Sequence, residues 1–213
     1  VVVAPRILLA NQLSAEFLYH NLDGNYNQGI NVMHVHSGET HHFSTTKVDK
    51  IRQFNYDTYC DNKHLLIFTT YHSLHKLQES DIVVDTIYFD EAHNSVQKNF
   101  FPATEHFSHF AKRCYFFTAT PKHSRSPVKA GMNWTRVYGQ VICQVPAPQL
   151  VKEGYILPPK VEVYQSRILQ KDELVADRDC EQMIDSIDNL SKDKVLICAK
   201  ATKQIINLVS HTS

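Results

Sequence analysis

Short apolar runs alternate with amphipathic stretches through the first half of the chain. The apolar runs predict strands over Val1–Ala4, Asn31–His36, Leu65–Thr69, Ile82–Asp90 and Cys114–Thr118. The amphipathic stretches predict helices over Ile7–Tyr19, Thr46–Phe54, Ser73–Gln78 and Gln97–Lys112, with Pro102 interrupting the last. Strands that alternate with helical connections pair in parallel, so we expect an α/β fold with an open sheet covered on both faces.

The second half of the chain continues this alternation less regularly. After a looser region at 122–139, the pattern predicts a strand over Val141–Val145 and a helical turn over Gln149–Glu153. The pair Pro158–Pro159 predicts a linker. The elements predicted beyond it are a strand over Val161–Tyr164, a helix over Asp179–Leu190, a strand over Lys194–Ala199 and a helix over Thr202–Val209. We therefore expect two α/β domains, over 1–156 and 157–213.

The composition is that of an ordinary globular protein. The 213 residues are 43% hydrophobic and 21% charged, which excludes a mainly disordered chain, a collagen-like fibre and a coiled coil. No apolar run approaches the roughly 18 residues that span a bilayer, so we expect no membrane partner. Five scattered cysteines without a C-x-x-C pair favour a reducing cytoplasm.

A formal net charge of +0 conceals an uneven distribution of charge. No Asp or Glu occurs between His106 and Lys152, and acids outnumber bases between Gln165 and Asp193. The bases of the acid-free stretch are Lys112, Arg113, Lys122, Arg125, Lys129, Arg136 and Lys152. Such segregation predicts an anionic partner for the basic stretch. If that partner is a nucleic acid, the Trp134 ring could stack on a nucleobase.

Two adjacent carboxylates close the apolar run that ends at Phe89. Asp90 and Glu91 belong to the segment Ile87–His93, which reads I-Y-F-D-E-A-H. The carboxyl ends of parallel strands are where open α/β sheets bind ligands. One carboxylate at such an exit can bind hydrated Mg²⁺, and the next can orient or deprotonate a water that attacks a phosphate.

With this D-E-A-H segment, the chain resembles the superfamily 2 helicases and translocases, which are nucleic-acid-dependent ATPases with two RecA-like domains. It is most similar to the DEAH-containing helicases of phage and restriction-type systems. The other segments that resemble family motifs, in the family's order, are Val1–Gln12, Phe68–Leu74, Phe117–Pro121, Gln149–Lys160 and Lys194–Cys198. Arg6 is a departure, because many relatives have Thr at that position.

The resemblance implies a role for each candidate residue, with ATP and Mg²⁺ as cofactors. Asp90 would bind Mg²⁺, Glu91 would act on the attacking water, and His93 would couple the nucleotide site to neighbouring motifs. The coupling residues would be Thr118, Ala119 and Thr120. The residues implied at the nucleic-acid backbone are Pro5, Arg6, Thr69 and Thr70, and the basic stretch adds Lys122 and Arg125. The expected partner is DNA in preference to RNA, without sequence specificity, in a bacterial or phage-infected cell.

The family's phosphate loop is missing from these residues. No G-x-x-x-x-G-K-S/T occurs, glycine is scarce, and the chain starts without Met inside an apolar run. We therefore expect an internal fragment that lacks the phosphate loop and the arginine-finger motifs. Such a fragment should be inactive as an ATPase and, with a sheet strand unpaired, poorly soluble.

Two alternatives stay open at this point. The first is a non-catalytic nucleic-acid-binding module derived from a helicase. The second is a zinc site at His34 and His36, which lie on one strand face with His41 and His42 close behind. A serine hydrolase and a Rossmann dehydrogenase are excluded, because the chain has neither G-x-S-x-G nor a glycine-rich first turn.

Overall fold

The computed structural model describes residues 1–21, 29–158, 160, 163, 174–189 and 206. The chain divides into two compact units, Val1–Gln144 and Val145–Ser213. The boundary between these units lies earlier than the predicted domain boundary at 156/157. That the second unit begins a second RecA-like domain stays a prediction.

The first unit is built on a six-stranded sheet in which every pairing is parallel. Its strands are β1 (Val2–Ala4), β2 (Ile30–Val35), β3 (Phe43–Ser44), β4 (His64–Thr70), β5 (Thr86–Phe89) and β6 (Arg113–Phe116). Their order across the sheet is β3-β2-β4-β1-β5-β6. The predicted α/β fold with a parallel sheet is therefore confirmed, and all carboxyl ends meet at one edge.

Helices flank the sheet on both faces. The first unit contains α1 (Ile7–Asn21), α2 (Val48–Cys60), α3 (Leu74–Glu79), α4 (Phe101–Phe110), α5 (Thr135–Tyr138) and a short 3₁₀ turn at Ala92–Asn94. The connection through α1 crosses the sheet in the direction opposite to those through α2, α3 and α4. Because parallel crossovers are right-handed, α1 lies on one face and the other three lie on the opposite face.

The core fixes the central strands beneath their carboxyl ends. Val3, Met33 and Phe89 are 0% exposed, and the α3 residues Leu74 and Leu77 pack into the same cluster. Each large apolar side chain buried in this way contributes about 1.5–3 kcal/mol relative to an exposed one. The positions of the strand carboxyl ends are therefore fixed by packing in the core.

Three predicted features of the first 145 residues need correction. Pro102 does not interrupt α4 but lies in its first turn, where a missing N–H costs nothing. The strand predicted over Ile82–Asp90 is confined to Thr86–Phe89, the residues that pair with the neighbouring strand β6. Val141–Val145 forms no strand, and Ile142 is 86% exposed, since an apolar run without a pairing partner does not make a strand.

The described part of the second unit consists mainly of two helices. These are α6 (Ala147–Lys152) and α7 (Val175–Asn189), which correspond to the helical turn and the helix predicted there. The predicted elements at 161–164, 194–199 and 202–209 lie outside the described residues, apart from Val163 and the helical Ile206. Across the described ranges, no helix is both long and apolar enough to cross a bilayer.

Candidate active site

The carboxyl end of β5 holds Asp90 in a network of backbone hydrogen bonds. The Asp90 N–H donates to the Val3 carbonyl at 2.9 Å, and the Tyr71 hydroxyl donates to the Asp90 carbonyl at 2.8 Å. The Ala92 N–H donates to the Phe117 carbonyl at 2.8 Å. Segments that follow or form β1, β4 and β6 thus fix the backbone on both sides of the two carboxylates.

Glu91 has a left-handed backbone, with φ 45° and ψ 50°. The other described non-glycine residues with positive φ are Asn62 and Asp81, residue types that tolerate this region. For glutamate the conformation costs about 1–2 kcal/mol. Strain of this kind collects at functional sites, where the surrounding structure maintains it. The conformation turns the Glu91 side chain out of line with the strand and toward the 3₁₀ turn.

His93 joins Glu91 to the segment that follows β6. Its Nδ1 lies 3.3 Å from Glu91 Oε2, 3.0 Å from Thr118 Oγ1 and 3.3 Å from Thr120 Oγ1. The Thr120 N–H donates to Thr118 Oγ1 at 3.2 Å, which closes the turn. The structure therefore brings two of the three predicted coupling residues, Thr118 and Thr120, to the ring that contacts the Glu91 carboxylate. The Ala119 side chain is exposed and makes none of these contacts.

The hydrogen-bond pattern indicates where the His93 ring carries its proton. An ionised Glu91 only accepts, so Nδ1 must carry the hydrogen if it bonds to Oε2. The other ring nitrogen, Nε2, lies 3.5 Å from Asn94 Nδ2, which also donates to the Glu91 carbonyl at 3.0 Å. Asn94 thus holds the backbone of Glu91, while His93 holds its carboxylate.

The carboxylate of Asp90 suits a hard cation. It is half-buried, and within the described residues no side chain or amide donates to it. Mg²⁺ keeps several waters and needs only one or two protein carboxylates together with substrate phosphates. A single carboxylate with free oxygens at the sheet edge therefore fits this ion, although no cluster of three or more metal-binding side chains occurs in the described part of the chain.

The residues expected at the nucleic-acid backbone fall into two groups. Arg6 is exposed just after β1, and Lys122 and Arg125 are exposed in the segment after β6. Thr69 and Thr70, in contrast, are 0% and 3% exposed, and the Thr69 hydroxyl donates to the Val35 carbonyl at 2.9 Å. The threonines therefore offer no exposed hydroxyl to a partner. The charged groups of Arg6, Lys122 and Arg125, in contrast, are accessible. Pro5 is half-buried beside Arg6.

Sequence reasoning assigned no role to Tyr71 or to the pair Ser95–Tyr138. Tyr71 is 2% exposed and reaches the Asp90 carbonyl. The Ser95 hydroxyl donates to the Ala92 carbonyl at 2.6 Å and lies 2.9 Å from the Tyr138 hydroxyl. The position of Tyr71 directly after a predicted buried strand could have indicated that it lies near the carboxyl ends of the strands. The Ser95 contact spans 43 positions along the chain and has no local signal.

The two histidines considered for zinc bond to each other. His34 Nδ1 lies 3.0 Å from His36 Nε2, and His34 Nε2 lies 3.1 Å from Ser14 Oγ of α1. The Gly38 N–H donates to His36 Nδ1 at 3.2 Å. These bonds occupy the ring nitrogens that a metal would need. Burial, then the neighbouring His36 and His42, lowers the pKa of His34 to about 4.

Comparisons with known proteins identify similar chains. The family model for the type III restriction enzyme, res subunit, matches residues 1–123. A solved structure matches with a TM-score of 0.56 and 27% identity, over 72% of this chain and 13% of that chain. It is the structure of a nuclease-deletion mutant of the Type ISP restriction-modification enzyme LlaGI in complex with a DNA substrate mimic. No curated protein matches. The family match includes Asp90, Glu91, His93, Thr118 and Thr120.

Proposed function

The chain belongs to the family of type III restriction enzyme res subunits, and we propose that it contributes the acidic centre of a DNA-dependent ATPase of helicase superfamily 2. One observation carries this proposal. Glu91 is held in a left-handed conformation at the exit of β5, and His93 links its carboxylate to Thr118 and Thr120. The fold and the family support the same assignment.

The two carboxylates have different tasks in this proposal. Asp90, whose carboxylate oxygens accept no hydrogen bond from the described residues, would hold Mg²⁺ at the carboxyl end of β5. An ion held by Asp90 would supply positive charge to offset the negative charge of the ATP phosphates. Glu91 would orient the attacking water toward the γ-phosphate and take its proton as the water attacks. Its contact with His93 fixes the carboxylate for this purpose.

Thr118 and Thr120 would transmit the state of the acidic centre. Both hydroxyls lie within 3.3 Å of His93 Nδ1, which also contacts Glu91. A movement of Glu91 would therefore change the hydrogen bonds between His93 and these two threonines. The segment after Thr120 carries the exposed bases Lys122 and Arg125. DNA is the proposed partner because the similar LlaGI mutant was solved with a DNA substrate mimic. Contacts from Lys and Arg side chains to the DNA backbone carry no sequence information, so we propose no target sequence.

The experiment measures phosphate release at a series of Mg²⁺ concentrations. Because the 213 residues contain no G-x-x-x-x-G-K-S/T, it uses a polypeptide in which this chain is joined to a phosphate loop and an arginine finger. We expect hydrolysis that DNA stimulates, and Asp90→Asn should raise the half-saturating Mg²⁺ concentration about tenfold or more, because a neutral amide binds the ion weakly.

The exposed Asp57 of α2 is the matched control, and Asp57→Asn should leave the Mg²⁺ dependence unchanged. The 213-residue chain alone should release no phosphate. An Asp90→Asn variant with the Mg²⁺ dependence of the unaltered protein would refute the role of Asp90.

A second candidate function rests on the missing phosphate loop. Without it, a chain that has exposed bases at the sheet edge is a DNA-binding module with no turnover. The two candidates differ in one result: DNA binding without any DNA-stimulated hydrolysis in the joined polypeptide favours the binding module.

A further inference from the structure

Residues 122–133, here named the clasped loop, form a closed structure after β6. The Met132 N–H donates to the Lys122 carbonyl at 2.8 Å. The Asn133 side chain makes two bonds to Ser124: its Oδ1 accepts from the backbone N–H at 2.8 Å, and its Nδ2 donates to the carbonyl at 3.0 Å. An amide that bonds both backbone groups of one residue acts like a strand partner and holds the loop shut.

Gly131 is required for this closure. It is buried, and a Cβ at this position would collide with the Ser124 backbone nitrogen and with Asn133 Oδ1. Only glycine therefore allows the two arms of the loop to approach closely enough for the Asn133 bonds to form. The loop is therefore held closed by contacts within the chain itself.

The bases of the clasped loop differ from most others in the first unit in having no acidic partner. Lys122, Arg125 and Lys129 are exposed, and none of them forms an ion pair with any described residue. The bases that do pair with an acid are Arg52, Lys63, Lys76, Lys112, Arg113 and Arg136. The loop thus presents three positive charges that its own surroundings leave uncompensated.

Residues that flank the clasped loop on both sides, Thr120 and Tyr138, contact the segment that contains Glu91. At the first end, Thr120 lies 3.3 Å from His93 Nδ1. At the second end, Tyr138 of α5 lies 2.9 Å from the Ser95 hydroxyl, which donates to the Ala92 carbonyl at 2.6 Å. A ligand that changes the position of the loop can therefore act on the segment 91–95 from two sides.

From these contacts we infer that the clasped loop binds the sugar-phosphate backbone of DNA and is the element through which DNA stimulates the acidic centre. This inference rests on the proposed function. Three exposed cations on a rigid loop can each contact a phosphate without the cost of ordering the loop first. The residues that flank the loop connect it to Glu91 through His93 and to the Ala92 carbonyl through Ser95.

The only tryptophan of the chain provides a local probe for the first test. Trp134 follows the clasped loop, with the Arg136 guanidinium 5.0 Å from its ring centroid and Phe101 packed edge-on at 5.6 Å. We titrate the 213-residue chain with a mixed-sequence DNA duplex at several salt concentrations and follow Trp134 fluorescence together with the anisotropy of labelled DNA. The probe and the anisotropy should report the same binding constant.

The variant Lys122→Ala/Arg125→Ala/Lys129→Ala should make the slope of log affinity against log salt shallower by about 2–3, since each lost phosphate contact contributes about 0.9 on duplex DNA. The matched control is Lys63→Ala/Lys112→Ala/Arg113→Ala, which removes the same charges near the amino ends of β4 and β6. It should change the slope by less than about 1. Equal slopes for the two triple variants would overturn the inference, as would tighter binding to an RNA duplex of the same sequence.

The clasp is tested with the charges left in place. Asn133→Ala removes the two bonds to Ser124 and should weaken DNA binding about 2- to 10-fold at fixed salt, the loss expected for side-chain hydrogen bonds of this kind. The exposed Asn99 is the control, and Asn99→Ala should bind as the unaltered chain does. Unaltered affinity in Asn133→Ala would refute preorganisation by the clasp. None of these measurements needs ATP turnover. The DNA-binding inference can therefore fail while the ATPase proposal stands, and the ATPase proposal can fail while the DNA-binding inference stands.

Discussion

Asp90 and Glu91 are adjacent in the chain but have different surroundings. The Asp90 backbone continues the ladder of β5, bonding to Val3, and its carboxylate accepts no donor among the described residues. Glu91 leaves the ladder in a left-handed conformation, and its carboxylate meets His93 at 3.3 Å. These surroundings suit the two proposed roles, in which Asp90 would bind a cation and Glu91 would act on a water.

Tyr71 is the residue through which β4 supports this site, and its hydroxyl can be removed without removing its ring. Burial, then the nearby Asp90, raises the pKa of Tyr71 above its ordinary value, so the phenol stays neutral and donates to the Asp90 carbonyl. Tyr71→Phe should lower the free energy of unfolding by about 0.5–1.5 kcal/mol in a urea titration. In the polypeptide with a phosphate loop it should lower kcat more than it raises the KM for ATP.

The control for this substitution is Tyr56→Phe, because Tyr56 is 63% exposed on α2. Its effect on stability should stay within about 0.5 kcal/mol. A Tyr71→Phe variant that loses stability but keeps kcat would assign Tyr71 to packing alone.

At the scale of elements, β2 and α1 meet through a directed chain of hydrogen bonds. The Gly38 N–H occupies His36 Nδ1, so His36 donates through Nε2 to His34, which in turn donates through its own Nε2 to Ser14. This order holds only when both rings are neutral. His42 from the following loop and Phe68 from β4 stack against His34, and neither brings a negative charge to it.

Acid should therefore destabilise the contact between β2 and α1. The pKa of His34 is about 4 in the folded chain against an ordinary value of 6.5, so the unfolded state binds the proton first. The stabilisation is complete above about pH 6.5 and is lost as the pH falls toward 4, by up to about 3 kcal/mol. His34→Gln should flatten the pH dependence of unfolding in this window, whereas the exposed control His75→Gln should not. Equal pH profiles for the two variants would rule out His34 as the source of the acid sensitivity.

The elements that the sequence predicted well are those with strong local signals. The runs at β1, β2 and β4 and the helix α1 are long or continuous enough to fix their type. The short elements β3 and α5 were missed, since two or four residues carry no period. Pro102 was misread because its effect depends on whether it lies in the first turn or in the interior of a helix.

The same distinction holds for the site. The D-E-A-H segment predicted Asp90 and Glu91 as site residues from local sequence, and the motif after β6 predicted Thr118 and Thr120. That these residues act in catalysis stays a prediction. The burial of Thr69 and the closure of the loop by Asn133 depend on partners 34 and 9 positions away. The first contact is set by how β2 and β4 pair and the second by how the loop closes, and the local sequence encodes neither.

For the whole molecule, the parallel sheet collects the functional groups at one edge of the first unit. The carboxyl ends of β1, β5 and β6 deliver Arg6, the two carboxylates and the clasped loop, respectively. Strand β6 is also the last strand of the sheet, and Tyr88, Tyr115 and Phe117 form an aromatic stack beside it. Among the described residues β6 pairs only with β5, and a strand with one unpaired side favours association. The poor solubility that the sequence predicts for this chain stays a prediction.

The central claim is that Glu91 acts on the attacking water, and Glu91→Gln tests it most directly in the polypeptide that joins this chain to a phosphate loop. The amide keeps the shape of the side chain but cannot take a proton, so DNA-stimulated phosphate release should fall by about 10²–10⁴. The affinities for ATP and DNA should stay within a few-fold of the unaltered protein. The control Glu79→Gln on α3 should change neither turnover nor binding. Turnover by Glu91→Gln within a few-fold of the unaltered protein would contradict the account.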